Sequence, residues 1–468
     1  MPINSFLYPG AKFIPGYEVA NSCRFEEGRT TSLSRTLGTP TTANVWTFSC
    51  WVKKSKLGDY QVLLAADVSG SGHRDCIRFQ NDDKLSVFFN ELADGEVKTN
   101  RAFRDPSAWL NIVVAVDTTQ ATDTNRVKIY VNGTQETSLA TSSYPAEDYT
   151  CGMNTNDVHR IGRDFLYTEY FDGYLAEVCF IDGQQLTPTS FGEFDEDSPT
   201  IWKPIDVSGL TFGDNGAYLD FEDSDNLGDD ESGNANDWAE NNIAATDQAT
   251  DTPTNNFCTW NSIADNLDVT LSEGNTKVVH GTALARRPVI STFGVSAGKW
   301  YWEWVAEGSP TAANMEVGIV NYASPFSQGR YLGQSLQGDA DFTTYQGDGY
   351  INMSGSSSDS GTAYAGGDVV GVAVDMDNTL IYFYKNNTLV NSGGTNFSGM
   401  EDGSGFIFMS NGDRSGSATY TAGVNFGGSS GFTISSAASD ANGYGNFEFA
   451  PPSGFLSLCT KNLGSDGG

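Results

Sequence analysis

The apolar residues of this chain fall into short runs, which either alternate with polar residues or are apolar throughout. Arg126–Val131 (RVKIYV) alternates, which is the pattern of a strand with one buried face. Asn132 and Gly133 follow it and can adopt the positive φ angles of a tight hairpin turn. Apolar spacing typical of an amphipathic helix is almost absent, so the pattern predicts an all-β fold.

The predicted strands group into two blocks, residues 21–202 and residues 266–468, each long enough to bury its own core. In the first block they are Trp46–Lys53, Gln61–Ala66, Cys76–Gln80, Lys84–Asn90, Leu110–Asp117, Arg126–Val131, Val158–Gly162 and Phe171–Ile181. In the second they are Leu267–Leu271, Lys277–Gly281, Lys299–Glu307, Met315–Val320, Asp341–Tyr345, Tyr350–Met353, Val369–Asp375, Thr379–Lys385, Gly405–Ser410, Tyr420–Phe426 and Phe455–Leu458. With 52 glycines and 12% aromatic residues, each block is expected to be a β-sandwich of two sheets.

The tryptophans mark the predicted cores. We expect Trp46, Trp51 and Trp109 to be buried in the first core, and Trp300 or Trp302 in the second. Trp46 and Trp51 are an odd number of residues apart, so in a regular strand they face opposite sides. Burial of both therefore requires a β-bulge or a strand that is covered on both faces.

Residues 203–265 separate the two blocks and differ from both. Glu222–Asp237 (EDSDNLGDDESGNAND) is acidic and rich in turn residues, and only Ala217–Phe221 is predicted as a strand. This composition predicts a connector between two cores that share few contacts. Asp229–Asp237 (DDESGNAND) also resembles the opening of many laminin-G-like domains, and this resemblance implies the alternative, a displaced edge strand of the first block.

Charge and cysteine usage exclude several classes of function. The net charge of −33, from 59 acidic and 26 basic side chains, makes nucleic acid an unfavourable partner. No apolar stretch is long enough for a membrane span, and the first residues do not have the pattern of a secretory signal. The seven cysteines are widely spaced without a C-x-x-C motif, which favours reduced thiols in a cytoplasm over a disulfide framework or a zinc site.

Both blocks resemble known domain families. The first resembles the concanavalin A-like, laminin-G-like jelly roll through, in order, Trp46–Val52 (WTFSCWV), Trp109–Asp117 (WLNIVVAVD), Arg126–Gln135 (RVKIYVNGTQ) and Phe171–Gly183 (FDGYLAEVCFIDG). The second resembles the SPRY sandwich through Gly298–Trp304 (GKWYWEW), Gly367–Asp375 (GDVVGVAVD) and Leu380–Asn387 (LIYFYKNN). These resemblances imply recognition of glycans or proteins through loops.

A further resemblance concerns the order of the segments. From Asn4 to Cys258 the chain is similar to structural proteins of marine tailed bacteriophages, most specifically in Asp251–Cys258 (DTPTNNFC). This implies a virion protein that is assembled in the host cytoplasm. Its expected partners are other capsid or tail proteins and a glycan or protein of the host surface, and we expect a homo-oligomer.

Residues 1–20 are expected to be an extended tail that anchors the chain to the particle. Prolines at positions 2, 9 and 15 prevent a regular element, whereas a disordered tail would be poor in aromatic residues. The tail is therefore expected to pack on a partner or on its own sandwich. The side chains predicted to bind are Phe6, Tyr8, Phe13 and Tyr17.

Three functions follow, and the first is preferred: a tail or head fibre that binds the host surface. The second is a capsid decoration protein that mainly stabilises the particle. The third is a glycan hydrolase, which needs two carboxylates at a fixed spacing. The candidates are Glu193–Ser198 (EFDEDS) and the pair Glu303 and Glu307, but a turn and a structural strand explain them better, so we expect no enzyme.

Calcium is the one cofactor that the sequence favours. Asp223, Asp225, Asp229 and Asp230 offer hard oxygen ligands within one short segment. Asp223 and Asp225 begin like an EF-hand loop with Gly228 at the sixth position, but Asn234 stands where the loop needs glutamate. The loop is therefore incomplete as an EF-hand, and the four carboxylates are kept as candidate calcium ligands.

Overall fold

The computed structural model describes residues 16–68, 73–166, 168–263, 269–281, 289–308, 315–321, 342–353, 356–398, 400, 406–411 and 419–466. Within them, strands dominate. The exceptions to strands and loops are four short 3-10 turns and one short helix, which are Glu27–Arg29, Asp123–Asn125, Pro188–Ser190, Ala245–Asp247 and α1 (Thr460–Asp466). The prediction of an all-β fold is confirmed.

The first sandwich consists of two sheets of eight strands each. Its strands, with a separate hairpin of β14 and β15, are β1 (Ser22–Phe25), β2 (Ser32–Thr36), β3 (Val45–Lys54), β4 (Gln61–Val68), β5 (His73–Phe79), β6 (Lys84–Phe89), β7 (Gly95–Ala102), β8 (Leu110–Asp117), β9 (Val127–Val131), β10 (Thr134–Gln135), β11 (Leu139–Ser143), β12 (Val158–Ile161), β13 (Gly173–Asp182), β14 (Gly192–Phe194), β15 (Trp202–Pro204), β16 (Ala217–Leu219), β17 (Ala239–Asn241) and β18 (Gln248–Ala249). Sheet A has the order β10-β9-β8-β3-β13-β1-β18, with β16 also paired to β13. Sheet B has the order β11-β7-β6-β5-β4-β12-β2-β17.

The tryptophans of the first sandwich lie on both faces of sheet A. Trp46 is fully buried in the core between the sheets. Trp51 and Trp109 are buried in a second cluster on the outer face of sheet A, together with Val19 and Trp202. The predicted burial is confirmed, and the opposite directions of Trp46 and Trp51 are explained because β3 is covered on both faces.

The second sandwich has one sheet of nine strands and one of six. Its strands are β19 (Val269–Ser272), β20 (Lys277–His280), β21 (Val289–Val295), β22 (Lys299–Glu307), β23 (Glu316–Asn321), β24 (Phe342–Gln346), β25 (Tyr350–Met353), β26 (Ser356–Asp359), β27 (Val369–Asp375), β28 (Leu380–Lys385), β29 (Thr388–Leu389), β30 (Thr395–Asn396), β31 (Phe406–Asn411), β32 (Tyr420–Asn425) and β33 (Leu456–Ser457). The larger sheet has the order β19-β20-β32-β22-β27-β28-β29, with β30 on β28 and β33 on β22. The smaller has the order β21-β31-β23-β24-β25-β26.

The second core is built around aromatic residues of β22. Trp300, Trp302 and Trp304 all point to the same face and are fully buried, which confirms the prediction that Trp300 or Trp302 is buried. Trp260 packs edge-on against Trp302, with ring centroids 5.9 Å apart, and Cys258 belongs to the same core. The second sandwich therefore begins before the predicted boundary at residue 266.

The hairpin turns follow the predicted chemistry. Asn132 and Gly133 have φ angles of 46° and 75°, and they join β9 to β10. Asn386 and Asn387, with φ angles of 44° and 62°, do the same between β28 and β29. Both turns have the positive φ pair that matches the twist of a two-residue hairpin.

The prediction that residues 203–265 form a connector is wrong. Phe221, Leu227 and Trp238 are buried in the first core. Strand β16 pairs with β13, β17 with β2, and β18 with β1, so the segment adds three edge or side strands to the first sandwich. The acidic composition misled the prediction because the buried apolar residues are isolated among turn residues instead of forming a run.

The two sandwiches meet at a junction formed by Asp251–Cys258. The Asp251 carboxylate accepts hydrogen bonds from Lys53 Nζ at 2.6 Å and from Trp109 Nε1 at 3.0 Å. Lys53 also donates to Asn256 Oδ1 and to the Phe257 carbonyl, each at 2.7 Å. Lys53 and Asp251 are both 1% exposed. A buried ion pair therefore fixes the segment from which the second sandwich starts.

Further buried contacts cross the interface, so the expectation of few shared contacts is also wrong. The Tyr174 hydroxyl donates to the Gly274 carbonyl at 2.9 Å, and Asn275 Nδ2 donates to the Ser55 carbonyl at 3.0 Å. Thr250 N donates to the Gly428 carbonyl at 2.9 Å. These bonds tie the first sandwich to two separate loops of the second.

We predict that limited proteolysis will not cut first between Asp223 and Thr254. The segment lies in the first sandwich, so cleavage there requires local unfolding of its edge. A time course with a nonspecific protease, read by mass spectrometry, checks this, and the same digest in urea shows that cleavable sites are present. Early cuts in this segment of the folded chain would contradict the packing.

Candidate functional site

A cleft of about 600 Å³ lies between the two sandwiches, next to the junction. The residues that line it and matter for its chemistry are Arg24, Arg29, 245–246 and 248–250 of the first sandwich and Glu273, Lys277, Glu307 and 427–434 of the second. Because each sandwich supplies one wall, neither forms the cleft alone. Clefts between domains are frequent positions of ligand sites.

Arg24 forms the floor of the cleft and connects both walls. Its Nη2 lies 3.1 Å from Asp247 Oδ1 and 2.9 Å from Glu273 Oε2. Its Nη1 donates to Ser429 Oγ and the Ser430 carbonyl, each at 3.2 Å. Burial alone would lower the pKa of Arg24, but Tyr174, Glu273 and Asp247 outweigh it and raise the pKa. Arg24 therefore stays charged and crosses the interface.

The other charged groups of the cleft are also paired. Arg29, from the 3-10 turn after β1, forms an ion pair with Asp247. Lys277 Nζ lies 2.7 Å from Glu307 Oε1, and both side chains are about one-third exposed at the rim. The cleft thus combines a strongly polar lining with little net charge.

A glycine-rich loop closes the second wall. A Cβ at Gly431 would lie 2.2 Å from the Thr276 carbonyl oxygen, so only glycine lets this loop lie against the adjacent turn. Phe432 and Ile434 follow, and their half-buried side chains add an apolar patch to the cleft. Paired charges beside one aromatic ring suit a ligand that has many hydroxyl groups and an apolar ring face.

Sequence comparison supports both halves of this architecture. Residues 28–189 match the Concanavalin A-like lectin/glucanases superfamily, and residues 299–424 match the SPRY domain. The chain contains a concanavalin A-like domain followed by a SPRY domain. The predicted fold of each block is confirmed, and together the two domain types indicate a binding function.

Comparison with solved structures gives distant likenesses. The SPRY domain of human HERC1 is 14% identical, covers 33% of this chain and 91% of its own, and has a TM-score of 0.26. The TRIM65 PSpry domain is 15% identical, with coverages of 36% and 91% and a TM-score of 0.27. A protein of Bacteroides ovatus, described as a candidate carbohydrate-binding protein, is 14% identical, with coverages of 48% and 59% and a TM-score of 0.33. No curated protein sequence matches the chain.

The predicted calcium ligands are not brought together. Asp230 accepts hydrogen bonds from the backbone of Tyr218 and Asn236, at 2.8 and 2.7 Å. Asp223 and Asp229 accept from Asp225 N and Asn226 Nδ2, within their own turns. In the described part of the chain, no group of three or more His, Cys, Asp or Glu side chains could hold a metal ion. The carboxylates stabilise turns at the edge of the concanavalin A-like domain.

Of the four predicted anchor residues, the structure describes only Tyr17; Phe6, Tyr8 and Phe13 lie outside the described residues. The Tyr17 hydroxyl donates to Glu177 Oε2 at 2.9 Å and lies 3.1 Å from the Tyr218 hydroxyl. Tyr17 also packs against the aromatic cluster on the outer face of sheet A. Its side chain is therefore held by its own domain, which corrects the assignment of Tyr17 to a partner.

The carboxylates considered for hydrolysis have structural contacts. Glu193 and Asp195 lie on the β14–β15 hairpin and pair with Lys203 at 3.4 and 3.6 Å. Glu303 is fully buried, and its carboxylate accepts the backbone N–H groups of Glu448 and Phe449, both at 2.8 Å. Burial raises the pKa of Glu303 to about 7. Its contacts hold the C-terminal segment against the SPRY sheet.

The sequence did not indicate the residues that form the cleft. Arg24 and Glu273 are far apart in the chain, and nothing in their local sequence marks them. The available signals were two arginines within six residues in a chain poor in basic groups, and the loop Gly427–Gly431 (GGSSG).

No helix of the described part is both long and apolar enough to cross a membrane.

Proposed function

We propose that the chain is a virion appendage protein of a tailed bacteriophage, which binds a neutral saccharide of the host surface in the cleft between its two domains. The observation that carries the binding part is the cleft itself, with paired charges, polar backbone and Phe432. The virion part rests on the resemblance of residues 4–258 to phage structural proteins. Its most specific motif, Asp251–Cys258, forms the junction beside the cleft.

The saccharide is proposed to be neutral because the cations of the cleft are already neutralised. Arg24 and Arg29 contact Asp247 and Glu273, and Lys277 contacts Glu307. A charged sugar would have to displace one of these partners, whereas hydroxyl groups can bond to both members of each pair. The half-buried ring of Phe432 offers a surface for the apolar face of a pyranose.

Filling the cleft is expected to abolish this binding. Thr433 is exposed and lines the cleft, so Thr433→Trp should block it without disturbing either core. Affinity for neutral oligosaccharides, identified on a glycan array and measured by calorimetry, should fall by about tenfold or more. Ser439→Trp is the matched control, since Ser439 is exposed but does not line the cleft. Equal binding by both variants would place the saccharide elsewhere.

Two further measurements separate the alternatives. Mass spectrometry of purified particles should find the chain in the virion, and its absence there would refute the virion role. If the chain is present but binds no host cells, decoration of the capsid becomes the better function. We propose binding without turnover, so a reducing-sugar assay with bound glycans should show no release above background.

A further inference from the structure

The outer face of sheet B carries a concentration of positive charge in an acidic protein. Ile77 and Phe79 of β5 point into the core, so Arg74 and Arg78, which alternate with them, lie on the outer face. Arg160 of β12 alternates in the same way with the core residue Ile161. Arg163 follows on the loop after β12.

Arg74 and Arg78 have a structural role. Arg74 pairs with Asp164, with Glu91 at 2.7 Å and with Glu169 at 3.1 Å, and Arg78 pairs with Glu169. Their side chains are 3% and 8% exposed. These pairs hold the loop after β12 against the sheet, and the acidic groups neutralise the charges of both arginines.

Arg160 and Arg163 are different. Among the described residues neither has an ion pair, and Arg160 Nη1 and Arg163 Nε are buried without a hydrogen-bond partner. Their contacts are with rings: the Arg160 guanidinium lies 4.6 Å from the Phe165 centroid, and that of Arg163 lies 5.1 Å from the Tyr170 centroid. Buried donors normally have a partner, and both residues are only half-buried, so an acceptor that enters from solvent would satisfy these two donors.

The surroundings favour an anion over water alone. Burial, and then the neighbouring charge of Arg163, lower the pKa of Arg160, while Asp67 and Asp164 act in the opposite direction. Asp67, on the adjacent strand β4, is close enough for its charge to attract Arg160, but the two side chains form no ion pair. Phe165 is 46% exposed and Leu166 is 37% exposed, so apolar surface lies directly beside the two guanidinium groups.

We propose that Arg160 and Arg163 bind the carboxylate or sulfate group of an acidic saccharide, whose sugar ring lies on Phe165. The planar guanidinium groups present paired donors to a two-oxygen anion. The exposed aromatic ring favours a saccharide over an acidic peptide, because a pyranose has an apolar face that covers a ring. This site is on the concanavalin A-like domain, away from the cleft, and it does not depend on the proposed function.

The test is calorimetry of the full chain with uronic-acid oligosaccharides, sulfated oligosaccharides, neutral oligosaccharides of equal length and poly-glutamate, at low and high salt. We expect binding of one or both acidic saccharides that weakens with salt. In the double variant Arg160→Gln/Arg163→Gln the affinity should fall by about tenfold or more. The uronate and sulfate arms identify which anionic group is bound.

Arg101→Gln is the matched control. Arg101 also stacks on a ring, 4.9 Å from the Phe103 centroid, but it is exposed and paired with Glu136. It should change the affinity by less than about twofold. Phe165→Ala, at an exposed position, should weaken binding several-fold while the unfolding curve stays unchanged, which excludes misfolding as the cause.

Several outcomes would overturn the proposal. They are the absence of acidic-saccharide binding, unchanged acidic-saccharide affinity in the Arg160→Gln/Arg163→Gln variant, equal losses in the Arg101 control, and tighter binding of poly-glutamate than of any saccharide. The last result would identify an acidic peptide as the partner of the same two arginines.

Discussion

Replacing Asp251 with alanine is expected to lower the free energy of unfolding by about 3–5 kcal/mol. The change leaves the Lys53 ammonium, which is 1% exposed, without its charged partner at the junction of the two domains. It also removes the acceptor for Trp109 Nε1 and for the Phe257 N–H. Urea unfolding followed by tryptophan fluorescence measures the loss, and the transitions of the two domains should separate in the variant.

Two further variants show whether the lost charge partner is the cause. Lys53→Met combined with Asp251→Leu removes both charges, so it should recover much of the loss. Arg101→Ala breaks an ion pair in which the arginine is 52% exposed, and it should cost less than about 1 kcal/mol. If Asp251→Ala costs no more than Arg101→Ala, the junction is not held by the Lys53–Asp251 pair.

The sequence predicted the parts of the fold that depend on local pattern. In β9 the residues Val127, Ile129 and Val131 are buried and alternate with half-buried ones, as the polar–apolar pattern requires. The turns at Asn132 and Asn386 follow from residue types that tolerate positive φ angles. The buried tryptophans follow from the size of their apolar surface. Such features need only neighbouring residues.

Features that depend on isolated or distant residues were not predictable. Trp238 lies in an acidic stretch, yet it is 2% exposed, because the first core reaches it through the edge of sheet B. The cleft requires Arg24 of the first domain to meet Glu273 and Ser429 of the second. No local sequence pattern predicts these contacts, because they depend on how the junction fixes the two sandwiches relative to each other.

Strand β13 contains a β-bulge that the sequence does not reveal, and this bulge determines the position of Glu177. Before the register shift between Ala176 and Cys179, the odd-numbered residue Leu175 points into the core. After the shift, the even-numbered residues Val178 and Phe180 point into it. The bulged residue is Glu177, with a φ angle of 50°. Because β13 is apolar on both covered faces, its sequence does not show where the alternation changes.

Glu177 is the group through which pH is expected to act on the concanavalin A-like domain. It is 5% exposed and accepts hydrogen bonds from the hydroxyls of Tyr17 and Tyr218, both at 2.9 Å. Burial raises the pKa of Glu177 from 4.5 to about 7. The folded chain therefore binds more protons than the unfolded chain between these pH values, so its stability falls as pH rises through this window.

We predict that Glu177→Gln removes this loss. A carboxyl pKa raised from 4.5 to about 7 corresponds to about 3 kcal/mol of stability that is present below pH 4.5 and absent above pH 7. The variant should match the natural chain at acid pH and exceed its unfolding free energy at pH 8 by up to about that amount. Glu303 and His159 titrate in both proteins, so the difference between their urea-unfolding curves across pH isolates Glu177. Parallel stability curves for Glu177→Gln and the natural chain would show that Glu177 has the same pKa in the folded and the unfolded chain.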